Sequence, residues 1–287
     1  MSILLERSDL PKALEVVNSW NPEGSTYLVQ GLLSGEIMTN VGFHFWVDKW
    51  PDFTFILLVG GPNYKYTFMA NVVSFASTDP RNLKELLLAS KPLKEKKDVM
   101  FGNFPGDQED VLKELVDIWK AKILFCSKTQ LFTTNAKELK SYDLPESYTS
   151  CELTLDDAEI MKANWSFAGK GSLKYIESHI ENFPALGVKD EKGNLVAWEL
   201  SYFTGAMGML HVLKEHRKKG IAKFIICTLA RKLLSLGRNV YCFIENDNPS
   251  SIDLHLKVGF YSPPGSNGLF TKLIKGVNEE NDNGPHE

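Results

Sequence analysis

The chain has 287 residues, 43% of them hydrophobic and 24% charged, and a net charge of −4. This is the composition of a globular protein with room for one large domain or two of about 140 residues. It argues against a general polyanion-binding surface, so no nucleic-acid partner is expected and basic charge matters only where it clusters.

In chain order, residues 9–20 read as a helix. "STYLVQGLLSG" (25–35), "FTFILLVGG" (53–61) and "YTFMANVVSFAS" (66–77) read as strands. Helical periodicity follows at 81–91, 107–121 and 134–140. The polar piece 141–153 has no clear period and reads as a linker. The expected division is a first domain at 1–146, a second at 147–276 and a disordered acidic tail at 277–287.

The second half is more legible. Helices are expected at 155–165, with acids in the first turn, and at 171–184, stopped by Pro184. Residues 185–202 read as a hairpin, and "AMGMLHVL" (206–213) as a third strand. A basic turn leads into helix 221–236 with Gly237 as its C-cap, then strand 239–245, helix 249–258 and the closing strand "LFTKLI" (269–274). The order ααββ-βα-βα-β is an α/β pattern with a mixed sheet.

Four cysteines, none in a CxxC pair, argue against a metal site and suit a thiol-reducing compartment such as the cytoplasm. No apolar run reaches membrane-spanning length. The N-terminal segment is amphipathic but carries Glu6, Asp9 and Glu15, unlike a cleavable mitochondrial presequence.

The turn "LKEHRKKG" (213–220) suggests chemistry. A helix starting after Gly220 leaves the amides of Ile221 and Ala222 without intrahelical partners, at the positive end of the helix dipole. Glycine permits a tight turn and close approach of an anion. Arg217, Lys218, Lys219 and Lys223 add charge. The plain alternative is a solvated basic turn. Against it stands the second motif, in which Asn248 precedes Gly259-Phe260 on the next strand–helix unit.

Together these two motifs resemble the GNAT acyltransferase superfamily, which implies an acyl-CoA co-substrate and no metal. The implied pantetheine wall is Leu210, His211, Val212 and Leu213, the implied diphosphate cradle is Arg217 to Ala222, and Asn248 and His255 close the site. At His255 many members have a tyrosine. "VDKWPDF" (47–53), "SLKYIESHIENFP" (172–184) and "DEKGNLVAW" (190–198) extend the likeness to the glycine N-acyltransferase family and its paralogues. That resemblance implies a GNAT-like N-terminal domain and mitochondrial residence. It also implies transfer of an acyl group from acyl-CoA to glycine or another small amino acid.

The family's favoured general base, a glutamate at the start of the third strand, aligns with Ala206. Glu199, His211 and His255 are the candidate substitutes. Each also has a structural explanation: a strand carboxylate, a core or surface histidine, a helix histidine. Trp165 and Phe167 are read either as acyl-pocket lining or as core, and Cys227 as a core-helix residue. The competing functions are a non-catalytic acyl-CoA binder and a protein or polyamine acetyltransferase. The oligomeric state is open.

Overall fold

The computed structural model describes residues 2–20, 24–66, 68 and 70–276, so the expected acidic tail lies outside the described residues. The first half runs β1 (Ile3–Leu4), α1 (Leu10–Asn18), α2 (Gly24–Thr39), β2 (Phe43–Val47), β3 (Phe55–Gly60), β4 (Val72–Ser77), α3 (Leu83–Ala89), α4 (Lys91–Glu95), β5 (Asp98–Pro105), α5 (Glu109–Ile118) and β6 (Lys122–Thr134). The second runs β7 (Tyr148–Cys151), α6 (Ala158–Ala163), α7 (Ser172–Asn182), β8 (Ala185–Asp190), β9 (Leu195–Ser201), β10 (Met207–Val212), α8 (Ile221–Ser235), β11 (Val240–Glu245), α9 (Pro249–Val258) and β12 (Asn267–Ile274).

The strands form an eight-stranded sheet, β1-β2-β3-β4-β5-β12-β6-β11, and a four-stranded sheet, β10-β9-β8-β7. All pairs are antiparallel except β4 with β5. The larger sheet takes strands from both halves. The C-terminal strand β12 lies between β5 and β6, and β6 reaches on to pair with β11.

The elements expected in the second half are present at 155–274, with α6 shorter than expected. Before residue 155 the structure departs from the expected elements. Residues 25–35 form helix α2, because Leu28, Val29, Leu32 and Leu33 fall on one buried stripe at helical spacing. Residues 135–140 form a turn, in which the Asn135 side chain accepts from the N–H groups of Lys137 and Glu138. The supposed linker 141–153 contains β7, paired to β8. Strands β2, β5 and β6 were not anticipated.

Helix α2 carries Gly31 and Gly35, four residues apart on one face. A Cβ at Gly31 would lie 1.4 Å from the Thr204 carbonyl oxygen, and one at Gly35 2.2 Å from that of Phe203. Backbone packs on backbone, so this joint anchors the β9–β10 turn of the second half against the first. Tyr241 on β11 seals it, donating from its hydroxyl to the carbonyls of Tyr27 and Thr204.

Candidate functional site

The two sheets part between β10 and β11. These strands approach each other without pairing. The corresponding strands of the first half, β4 and β5, are joined in register at Val72–Met100 and Val73–Phe101. β10 and β11 therefore leave a gap that β4 and β5 do not.

On its far edge β10 bulges. Gly208 pairs with Leu200 and His211 with Trp198, so Met209 and Leu210 together face Glu199. Met209 takes the positive φ of 55° that accommodates the extra residue. The half-buried Leu210, Val212 and Leu213 pack toward α8 and its neighbours.

Downstream of β10 the chain makes a short 3-10 turn, Lys214–His216, and enters α8. Lys218 has φ 61° and Gly220 φ 90°, the left-handed conformation that glycine adopts without strain. No side chain among the described residues caps the helix. The N–H groups of Ile221, Ala222 and Lys223 thus lack intrahelical acceptors and point out of the helix start. Arg217 donates from Nε to the Val212 carbonyl at 2.9 Å, which fixes the guanidinium beside the turn. Lys219 donates to the Tyr148 hydroxyl at 3.0 Å, and Tyr148 also meets His216 Nδ1 at 3.0 Å. Lys223 lies over the Tyr142 ring, 5.0 Å from its centre. The turn can hold an anion on backbone amides with cations on its rim.

The matching turn of the first half cannot. There Asp79 accepts from the Arg81 N–H (3.3 Å), Arg81 Nε (3.2 Å) and Asn82 Nδ2 (2.7 Å). The chain supplies its own anion, and the Arg81 side chain holds the Asp79 carboxyl below its usual range.

Asn248 caps α9, its side-chain oxygen accepting from the Ser251 N–H at 3.1 Å. Gly259 ends α9 at φ 102°, and a Cβ there would lie 2.1 Å from the Glu138 carbonyl oxygen. His255 is buried edge-to-face against Phe260 and donates from Nδ1 to the Ser251 carbonyl at 2.8 Å. That bond leaves Nε2 as the acceptor of a neutral imidazole, and burial outweighs the bond to Ser251 and lowers the pKa.

His211 stacks on Trp198 with ring centres 5.0 Å apart. Burial, with Arg217 nearby, lowers its pKa, so the half-buried ring is neutral at physiological pH. Ala206 is buried against Leu131 and Tyr241.

Glu199 is only 1% exposed and its Oε2 has no hydrogen-bond partner among the described residues. Its charge would act on Cys227 of α8 and Cys242 of β11. Burial raises its pKa well above 4.5. Unfolded, the carboxyl ionises above that value; folded, it keeps its proton, so stability falls as pH rises through 4.5 toward the folded pKa. Glu199→Gln is therefore expected to raise the unfolding free energy at pH 7 by at least about 1 kcal/mol, with the gain shrinking toward pH 4. Urea unfolding at the two pH values measures it, and a variant less stable at pH 7 would contradict the assignment.

Sequence reasoning overlooked Tyr202. A Cβ at Gly208 would lie 2.3 Å from Tyr202 Cε2 and 3.0 Å from its hydroxyl oxygen, so the phenol lies across β10 at the bulge. A glycine inside a strand signals such an approach, and Gly208 was the available clue. Of the aromatic candidates upstream, Trp165 packs against Phe68 and Tyr175, while Phe167 is exposed.

Among the described residues no group of three or more His, Cys, Asp or Glu could hold a metal ion, and no helix is long and apolar enough to cross a membrane.

Solved structures similar to the whole chain show its fold. A Drosophila protein matches with a TM-score of 0.79 at 16% identity, over 96% of this chain and 98% of that one. A tandem GNAT protein from the clavulanic acid biosynthesis pathway, solved without AcCoA, matches with a TM-score of 0.57 at 11% identity, over 97% and 99%. The fold is that of GNAT acetyltransferases, present as two copies. Residues 185–263 match the FR47-like protein family. More particularly, the chain is similar to human glycine N-acyltransferase, 24% identical over 224 residues that cover 70% of this chain and 75% of that protein. The resemblance read from the sequence is borne out.

Proposed function

We propose that the chain transfers an acyl group from acyl-CoA to the amino group of glycine or a similar small amino acid. The observation that carries this reading is the gap between β10 and β11, which ends on the uncapped start of α8. A pantetheine arm fits between strands that do not pair, and a diphosphate fits on amides that no described residue uses.

The acceptor arrives as an ammonium and must give up one proton before it attacks. Neutral His211 is the group best suited to take it. Glu199 already holds a proton, and His255 Nε2 is the further acceptor available. The amine nitrogen then bonds to the thioester carbon, the C–S bond breaks and the electrons leave on sulfur. The amine's second proton ends on that thiolate, giving the free thiol. A thiol with pKa about 8.5 leaves without a dedicated acid.

Two measurements test this. Thiol release should require both an acyl-CoA and an amino acid. The acid limb of kcat/KM should lie below pH 6.5, the ordinary imidazole value, because burial lowers His211. His211→Gln should abolish that limb and slow the reaction about 10²–10⁴-fold. An unchanged pH profile in the variant would remove His211 from the role.

A second reading, a non-catalytic acyl-CoA binder, draws support from the buried Ala206 in place of a carboxylate. CoA raising the melting temperature without thiol release across a broad amino-acid panel would favour it. Mitochondrial residence is part of the proposal and is tested by fractionating cells that express the full chain.

A further inference from the structure

Tyr202 follows β9 directly, and its N–H donates to the Ala206 carbonyl at 2.8 Å to close the hairpin. Its ring packs against the cluster of Leu131, Ala206 and Tyr241. The phenol therefore occupies the neighbourhood that the missing carboxylate leaves apolar.

Its position is well determined. Gly208 offers no side chain beneath it, as the 2.3 Å approach to a would-be Cβ requires. His179 of α7 meets it edge-on with ring centres 5.6 Å apart, and Tyr175 lies at 6.3 Å. The Met209 amide, inside the bulge, lies close to the Tyr202 hydroxyl. The hydroxyl hydrogen has no acceptor among the described residues. Burial pushes the phenol's pKa up, so it stays protonated at every working pH.

We propose that Tyr202 is a catalytic residue of the acyl transfer, its hydroxyl donating a hydrogen bond to the thioester carbonyl oxygen as that oxygen becomes an oxyanion. The inference rests on the acyl-transfer reading. When the amine adds, the C=O electron pair moves onto oxygen, and the Tyr202 O–H stabilises the charge without giving up its proton. When the C–S bond breaks, the carbonyl re-forms and the hydrogen bond weakens. The Met209 amide beside the hydroxyl favours negative charge on its oxygen and so makes the O–H a better donor.

The test compares Tyr202→Phe, which keeps the ring, with the unsubstituted chain on an acyl-CoA and amino acid that the latter uses. The expected result is a fall in kcat of about 10²-fold, the usual cost of one oxyanion donor, with KM for acyl-CoA within about threefold. The carbonyl stretch of bound, carbonyl-labelled acyl-CoA, recorded without acceptor, should lie lower in the unsubstituted chain than in the variant. Gly208→Ala, which displaces the phenol from Met209, should reproduce the kcat loss and add nothing on the Tyr202→Phe background; it also answers the question if Tyr202→Phe does not fold. Unchanged kcat and carbonyl frequency would overturn the role of Tyr202 while leaving the transfer reading intact. Absence of turnover in the unsubstituted chain would remove both.

Discussion

Gly220→Pro is expected to weaken acyl-CoA binding by about 100-fold or more, at a cost in stability of only about 1–2 kcal/mol from the lost left-handed turn. Gly220 sits at φ 90°, and proline is confined near −65°. The turn must rearrange, which misdirects the amides of Ile221, Ala222 and Lys223. Hydrogen bonds to a charged group are each worth about 1.5–3 kcal/mol, so losing two of them accounts for a factor of that size. Beyond that local strain the fold is spared, because a Cβ at Gly220 meets nothing within 4 Å. Titration calorimetry with CoA reads the effect, and binding within threefold of the unsubstituted chain would show that the phosphates are held elsewhere.

Gly31→Val has the opposite signature, a large loss of stability that reaches the site only indirectly. The new Cβ would fall 1.4 Å from the Thr204 carbonyl oxygen and 2.8 Å from the Tyr241 hydroxyl. Backbone cannot yield as a flexible side chain does, so α2 must lift from the turn after β9. Damage of this kind belongs to the exceptional class above about 4 kcal/mol, or a drop of roughly 10 °C in a chain of this size. Gly193→Val is the control. Its φ is 81° with nothing within 4 Å of the Cβ, so it carries only left-handed strain of about 1–2 kcal/mol. Equal losses at the two positions would mean that the α2 joint is looser than the packing indicates.

What was legible in the sequence was local. The cradle at Arg217–Ala222 announces itself by a glycine, four nearby cations and a helix start within a few residues. Asn248, which caps α9, belongs to a second short-range motif of the same kind. The first half was harder. "STYLVQGLLSG" has an apolar run short enough to pass for a strand, and its helical stripe shows only once Gly31 and Gly35 are seen to share a face. The insertion of β12 between β5 and β6 joins residues some 150 positions apart, such as Leu273 and Ile123. No local period encodes such a pairing. Tyr202 was missed for a related reason. Its place over Gly208 depends on both the hairpin and the bulge, and neither element alone points the phenol at Met209.

The proposed donor, the reaction and the role of Tyr202 all depend on where a thioester carrier places its diphosphate. The direct measurement is a crystal structure of this chain grown with CoA. The diphosphate should lie on the amides between Gly220 and Lys223, beside Arg217, with the pantetheine arm running between β10 and β11 toward Met209. Phosphates bound at any other surface, with that gap closed, would contradict the donor, the reaction and the role of Tyr202 together.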